Sequence, residues 1–127
     1  METNKVIGIA GRIALAVPFL MFGMGHLTGA DKMSMMVPSW LPGGVFWVYL
    51  TGLAELAAAL SLVSGFFTKW AGLGIAVLML TYVLTIHLPT MMNGPDEMTK
   101  MMGFMGVMKD TGLLGGGLLA ASLTWNK

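Results

Sequence analysis

Four long apolar stretches alternate along the chain with short polar or helix-breaking ones, over about 6–27, 45–66, 70–88 and 101–123. Each approaches the roughly 20 residues that a bilayer-crossing helix needs. The stretch Val45 to Phe66 carries one carboxylate, Glu55, near its middle. A charge at that depth costs about 3 kcal/mol or more unless something pairs with it. The other polar groups of the chain are therefore read as its partners. The first stretch has Arg12 in its first third, Pro18 in mid-span, where a kink is expected, and His26 at its far end. The third opens with Gly72 and Gly74 and closes on His87, with Pro89 as its stop. The fourth holds Lys109 and Asp110, then Gly112 and Gly115-Gly116-Gly117.

The breaks set the topology. Thr28 to Gly44 contains Pro38, Pro42 and Gly43-Gly44, and Thr90 to Lys100 contains Asn93-Gly94-Pro95; both read as outer loops. The turn at Thr68-Lys69 is so short that the second and third helices must be antiparallel neighbours. The pattern predicts one all-α domain over 1–127, an integral membrane four-helix bundle. Val6 to Leu27 exceeds a signal-peptide core and no A-x-A site follows it, so it is read as a retained helix. Four spans put both termini on one side. Lys5, Arg12, Lys69 and Lys127 fall there, while Lys32 and Lys100 fall on the other side beside Asp31, Asp96 and Glu97. The positive-inside rule then places both termini of this multi-pass protein in the cytoplasm.

Composition agrees. Hydrophobic residues make up 56% and charged residues 10%, against about 25% charged in soluble domains. The mean hydropathy is +0.78. A net charge of +1 without a basic stripe argues against nucleic acid. The absence of cysteine removes disulfide exchange and Fe–S ligation.

Counting ~1.5 Å per residue gives each polar group a depth. His26 and His87 fall at one level near the outer boundary, Lys109 and Asp110 ~10–13 Å below it and Glu55 ~15 Å below it. Five ionisable residues from four helices thus share the outer half. A Glu55–Lys109 ion pair could simply fix helix register; the other reading is a polar pocket open to the outside. Two imidazoles at one level are candidate haem ligands or proton relays to a quinone. Most of the fourteen methionines lie in the outer loops or outer helix ends. Met98, Met101, Met105 and Met108 form a helical stripe, read either as soft copper ligands or as an adaptable apolar surface. Small residues on the second and fourth helices predict close helix packing and a homo-oligomer or larger membrane complex.

Arg12 followed by FLMFGMGH, then VPSWLP, TGLAELAAALSL, an apolar helix ending in His87, and MKDTGLLGGGLLAA together resemble the DoxX family, over Gly11 to Ala121. The resemblance implies a four-helix membrane bundle, similar to the DoxD subunit of thiosulfate:quinone oxidoreductase and tied to membrane redox systems; distant relatives act in assembling other membrane proteins. The function expected is a small redox-associated membrane subunit holding a quinone or similar lipid-like molecule. Glu55, His26 and His87 would handle protons. Lys109 and Asp110 would complete the polar end, with Met21, Met24, Met105 and Met108 as the apolar wall. The rival expectations are a non-catalytic accessory or assembly subunit, and an outer-side copper or haem binder.

Overall fold

The computed structural model describes residues 2–126, so Lys127 lies outside the described residues. Helix α1 spans Glu2–Thr28, α2 Ala30–Met33, α3 Val45–Ser64, α4 Thr68–Tyr82, α5 Leu88–Asn93 and α6 Glu97–Leu123. A 3₁₀ turn, Ser34–Met36, follows α2, and a π-helical turn, Val83–His87, joins α4 to α5. No strand occurs among the described residues. Three helices are long and apolar enough to cross a membrane: Glu2–Thr28, Val45–Ser64 and the continuous Thr68–Asn93. Although α6 has 27 residues, it does not reach that apolarity, because Lys109, Asp110 and its glycines lower its hydropathy.

Several boundaries differ from the sequence expectation for identifiable reasons. Helix α3 ends at Ser64 rather than at Phe66: Gly65 takes the left-handed conformation, φ 83°, and its N–H donates to Ser61 O over 2.9 Å. Such a residue stops a helix because only glycine adopts it at no steric cost. Phe67 is also left-handed, and α4 starts at once at Thr68. Pro89 does not end the third long helix. Proline lacks the N–H that would close an ordinary turn, and the turn before it widens so that Leu88 N–H reaches Val83 O, five residues back. The helix then runs on to Asn93. Helix α6 begins at Glu97 because the Asp96 side chain accepts the Thr99 N–H, at 2.7 Å. Helix α1 continues through Pro18.

The long helices pack chiefly as two antiparallel pairs, α1 with α3 and α4–α5 with α6. Glycines set the approach. A Cβ on Gly72 would overlap Gly117 O and the Ala121 N–H, and one on Gly23 would meet Leu56 at 2.7 Å. The pairs join through a core of Ala16, Phe19, Ala59, Leu62, Ile75, Met79 and Ala120. Outside it, Ile7, Leu53, Leu60, Val77, Leu84 and Leu119 are all exposed. Such an outer surface is unstable in water and suits a hydrocarbon solvent. The two ends of the described chain lie together, since residues of the first turns of α1 and the last turn of α6 line one cleft.

Candidate functional site

At the other end of the bundle, the loop over 30–44 folds across the helix ends and covers a cavity of about 360 Å³. Trp47 helps to hold the loop by donating its indole N–H to Pro42 O at 2.7 Å. The walls are largely apolar, with Met33, Met36, Val37, Leu41 and Met79 among them. His26, Glu55, Tyr82, His87, Lys109 and Asp110 supply polar groups, beside the hydroxyls of Thr51, Thr81 and Thr85. Thus the five ionisable residues singled out by depth do meet in one cavity.

Their pairing is not the Glu55–Lys109 one that would simply fix helix register. No Glu55–Lys109 ion pair forms among the described residues. Glu55, 1% exposed, has His26 Nδ1 3.1 Å from its Oε2 and accepts from the Tyr82 hydroxyl at Oε1, 3.3 Å away. Asp110, 2% exposed, has His87 Nε2 3.0 Å from Oδ2 and Lys109 Nζ 3.4 Å from Oδ1. The same ammonium lies 4.6 Å from the centre of the Phe22 ring, so Lys109 reaches from α6 toward α1. Counting residues gives height on a helix; which side chain faces which depends on rotation about each axis.

Each histidine is seated on a glycine. A Cβ on Gly52 would lie 2.6 Å from His26 Cβ, and one on Gly106 would overlap the His87 ring. On α3 the glycine is three residues before Glu55; on α6 it is four before Asp110. Both spacings put glycine and acid on one helix face. The imidazole can therefore lie flat against the backbone and face the carboxylate one turn deeper.

His26 Nδ1 is also 2.7 Å from Phe22 O. A carbonyl only accepts, so Nδ1 must carry the hydrogen. That one hydrogen faces both Phe22 O and Glu55 Oε2, and the carbonyl is nearer. Glu55 Oε2 accordingly lacks an aligned donor, and Asp110 Oδ2 has none either, although His87 Nε2 lies 3.0 Å away. Unpaired buried acceptors are costly; here they border a cavity where a ligand's donor could meet them.

Other expected residues are placed elsewhere. Met21, Met24, Met105 and Met108 do not line the cavity; all four are exposed on its outside. They occupy helix faces turned away from Phe22, His26 and Asp110, and Met33, Met36 and Met79 take the wall positions instead. Tyr82 is the polar residue that depth counting missed. Its signal was available: a tyrosine inside an apolar span needs a partner for its hydroxyl. Its ring also stacks on His26, with centroids 6.4 Å apart. Among the described residues, no group of three or more His, Cys, Asp or Glu side chains is arranged to hold a metal ion.

No curated protein and no solved structure matches this chain. The DoxX family model matches residues 8–88, more than half of the chain. That segment includes His26, Glu55, Tyr82 and His87, while the α6 motif with Lys109 and Asp110 lies beyond it. On this match the chain, a small membrane protein, belongs to the DoxX family.

Proposed function

We propose that the protein is a four-span subunit of a redox-associated system in the bacterial cytoplasmic membrane, with both termini cytoplasmic, and that its outer cavity holds a quinone or a similar lipid-like molecule. The observation that carries this reading is the pair of buried carboxylates at the cavity, each with an oxygen lacking an aligned donor that the hydroxyls of the reduced, quinol form would supply, under largely apolar walls. A volume near 360 Å³ falls at the small end of the range for ligand pockets, roughly 300–1,000 Å³, and suits a single ring with its tail leaving between helices.

The chain's residues fit the chemistry. A bound quinone supplies carbonyl oxygens that gain protons on reduction by a partner subunit. Lys109 Nζ is a donor for such oxygens. Glu55 Oε2 and Asp110 Oδ2 are the places where a proton can be held, each beside a histidine able to pass one on. Tyr82 orients Glu55 by its hydroxyl.

The test is to extract the native protein gently and identify retained small molecules by mass spectrometry. Retained quinone at about one per chain is expected, with more than tenfold less in Glu55→Gln. Equal retention by that variant would refute the assignment. The second reading, an accessory or assembly subunit, is favoured by the exposed Met98, Met101, Met105 and Met108 on α6, an adaptable surface for a neighbouring helix. It predicts a stoichiometric protein partner, lost on replacing these methionines by serine, and no retained quinone. Copper bound by the same thioethers, or haem between the histidines, would be seen in that preparation by metal analysis or a Soret band.

A further inference from the structure

The opposite end of the bundle carries a second cleft, of about 940 Å³, between the first turns of α1, the α3–α4 turn and the end of α6. Lys5, Arg12 and Lys69 line it, against a single carboxylate, Glu2. Among the described residues, none of these cations has a carboxylate within 4.0 Å. Two are held in place by neighbours that do not neutralise them. Arg12 lies so close over Gly65 that a Cβ there would collide with its guanidinium. Lys69 Nζ sits 5.0 Å from the Trp70 ring centre and 4.6 Å from that of Trp125.

The cleft also contains the start of α4. No side chain caps this helix, so its first N–H groups lack intrahelical acceptors and favour an anion. Thr68, the first residue of α4, is 3% exposed, and its hydroxyl has no hydrogen-bond partner. A buried hydroxyl at an uncapped helix start, within reach of fixed cations, is a donor in want of an acceptor. Phe66, Phe67 and Trp70 stand exposed at the rim, where aromatic rings settle between headgroup and hydrocarbon.

We infer that this cleft binds the phosphoryl headgroup of an anionic phospholipid, with the phosphate oxygens facing Arg12, Lys69 and the Thr68 hydroxyl and the acyl chains lying along the exposed aromatic rim. A soluble phosphate would use the same donors but leave that rim without a role. The inference is independent of what the outer cavity holds.

Full-length protein in detergent micelles can be titrated with phosphatidylglycerol, phosphatidylcholine or inorganic phosphate, reading the fluorescence of Trp70 and Trp125 beside Lys69 and the bound lipid by native mass spectrometry. Phosphatidylglycerol should bind at least tenfold more tightly than phosphatidylcholine, and the preference should fall to under threefold with Arg12→Gln and Lys69→Gln combined. Thr68→Val keeps the shape and removes only the hydroxyl. It should fold normally and lose part of the preference, which covers the case in which the double variant fails to fold. Equal binding of the two lipids, or a preference unchanged in Thr68→Val, would overturn the site. Competition by inorganic phosphate at the lipid's own concentration would overturn the lipid assignment.

Discussion

In the α1–α3 pair, His26 rests on Gly52 and faces Glu55; in the α4–α6 pair, His87 rests on Gly106 and faces Asp110. The frame is shared and the electrostatics are not. Glu55 has an uncharged second partner, the Tyr82 hydroxyl contributed by the other pair. Asp110 has a cation, Lys109, from the preceding position in its own helix. His26 has its Nδ1 hydrogen held by Phe22 O, whereas His87 meets its carboxylate through Nε2. The difference teaches that a buried carboxylate in a thin bundle can be accommodated in two ways: by dipoles borrowed across the bundle, or by a counter-charge that reaches in from a half-exposed position.

The largest test of this comparison concerns the seats. Beyond Gly106, α6 carries a second close approach at Gly103, where a Cβ would overlap the backbone of Met91. Backbone cannot rotate away. Gly103→Ala should therefore cost about 1–3 kcal/mol or more by overpacking, and more than Gly25→Ala, whose Cβ meets nothing within 4 Å. Thermal unfolding in a fixed detergent measures both, and equal losses would mean that α6 has room to slide.

The charges come next. Asp110→Asn removes the counter-charge of Lys109, while Glu55→Gln keeps an oxygen for Tyr82 to donate to. The first should lose about 1–3 kcal/mol, the range for a stranded buried polar group. This stays below the roughly 3–5 kcal/mol of a broken fully buried ion pair because Lys109 is 48% exposed and can turn to water. Adding Lys109→Met to Asp110→Asn should recover much of the loss; adding Tyr82→Phe to Glu55→Gln should not. Recovery in both halves would erase the distinction.

The smallest effect lies at the entry to α6. The Asp96 carboxylate accepts the Thr99 N–H, and that bond holds its pKa below the ordinary carboxylate value. A lowered folded-state pKa stabilises the helix start above the unfolded value, about 4. The benefit is lost as pH falls through the still lower folded pKa. Amide exchange over 97–100 should accelerate in that acidic window, and Asp96→Ala should remove the pH dependence.

Much of this arrangement could be read from the chain because hydrocarbon imposes a length rule. The three spans are bounded by that rule, and counting along the helices places His26, Glu55, His87, Lys109 and Asp110 in one half of the bundle. Rotation about the helix axis was not legible. It decides that Glu55 meets His26 and Tyr82 rather than Lys109, and that Met21, Met24, Met105 and Met108 face away from the cavity they are expected to line. Local stops were read from residue type alone: Gly65 passed as ordinary helix and Pro89 as an end, since neither the left-handed backbone nor the widened turn is encoded in hydropathy. Hydropathy likewise ranks Tyr82 with its apolar neighbours, although its hydroxyl serves Glu55.

The turn over Val83–His87 gives spacing a meaning of its own. It fits one more residue into a turn than an ordinary helix would. Were the same residues to close as ordinary helix, the downstream segment would rotate by about 100° relative to α4, the turn that one residue makes. His87 would leave the face of Asp110, and Met91 would leave Gly103. Removing one residue from the wide turn cancels its excess and leaves the downstream helix in phase; removing one from the regular turns of α4 does not. Deleting Val77, an exposed residue of α4, should therefore disrupt the His87–Asp110 contact far more than deleting Leu84 within the turn, and comparing the ring proton chemical shifts of His87 in the two chains would measure it. The histidine's place is recorded in the count of residues before it as much as in their identity.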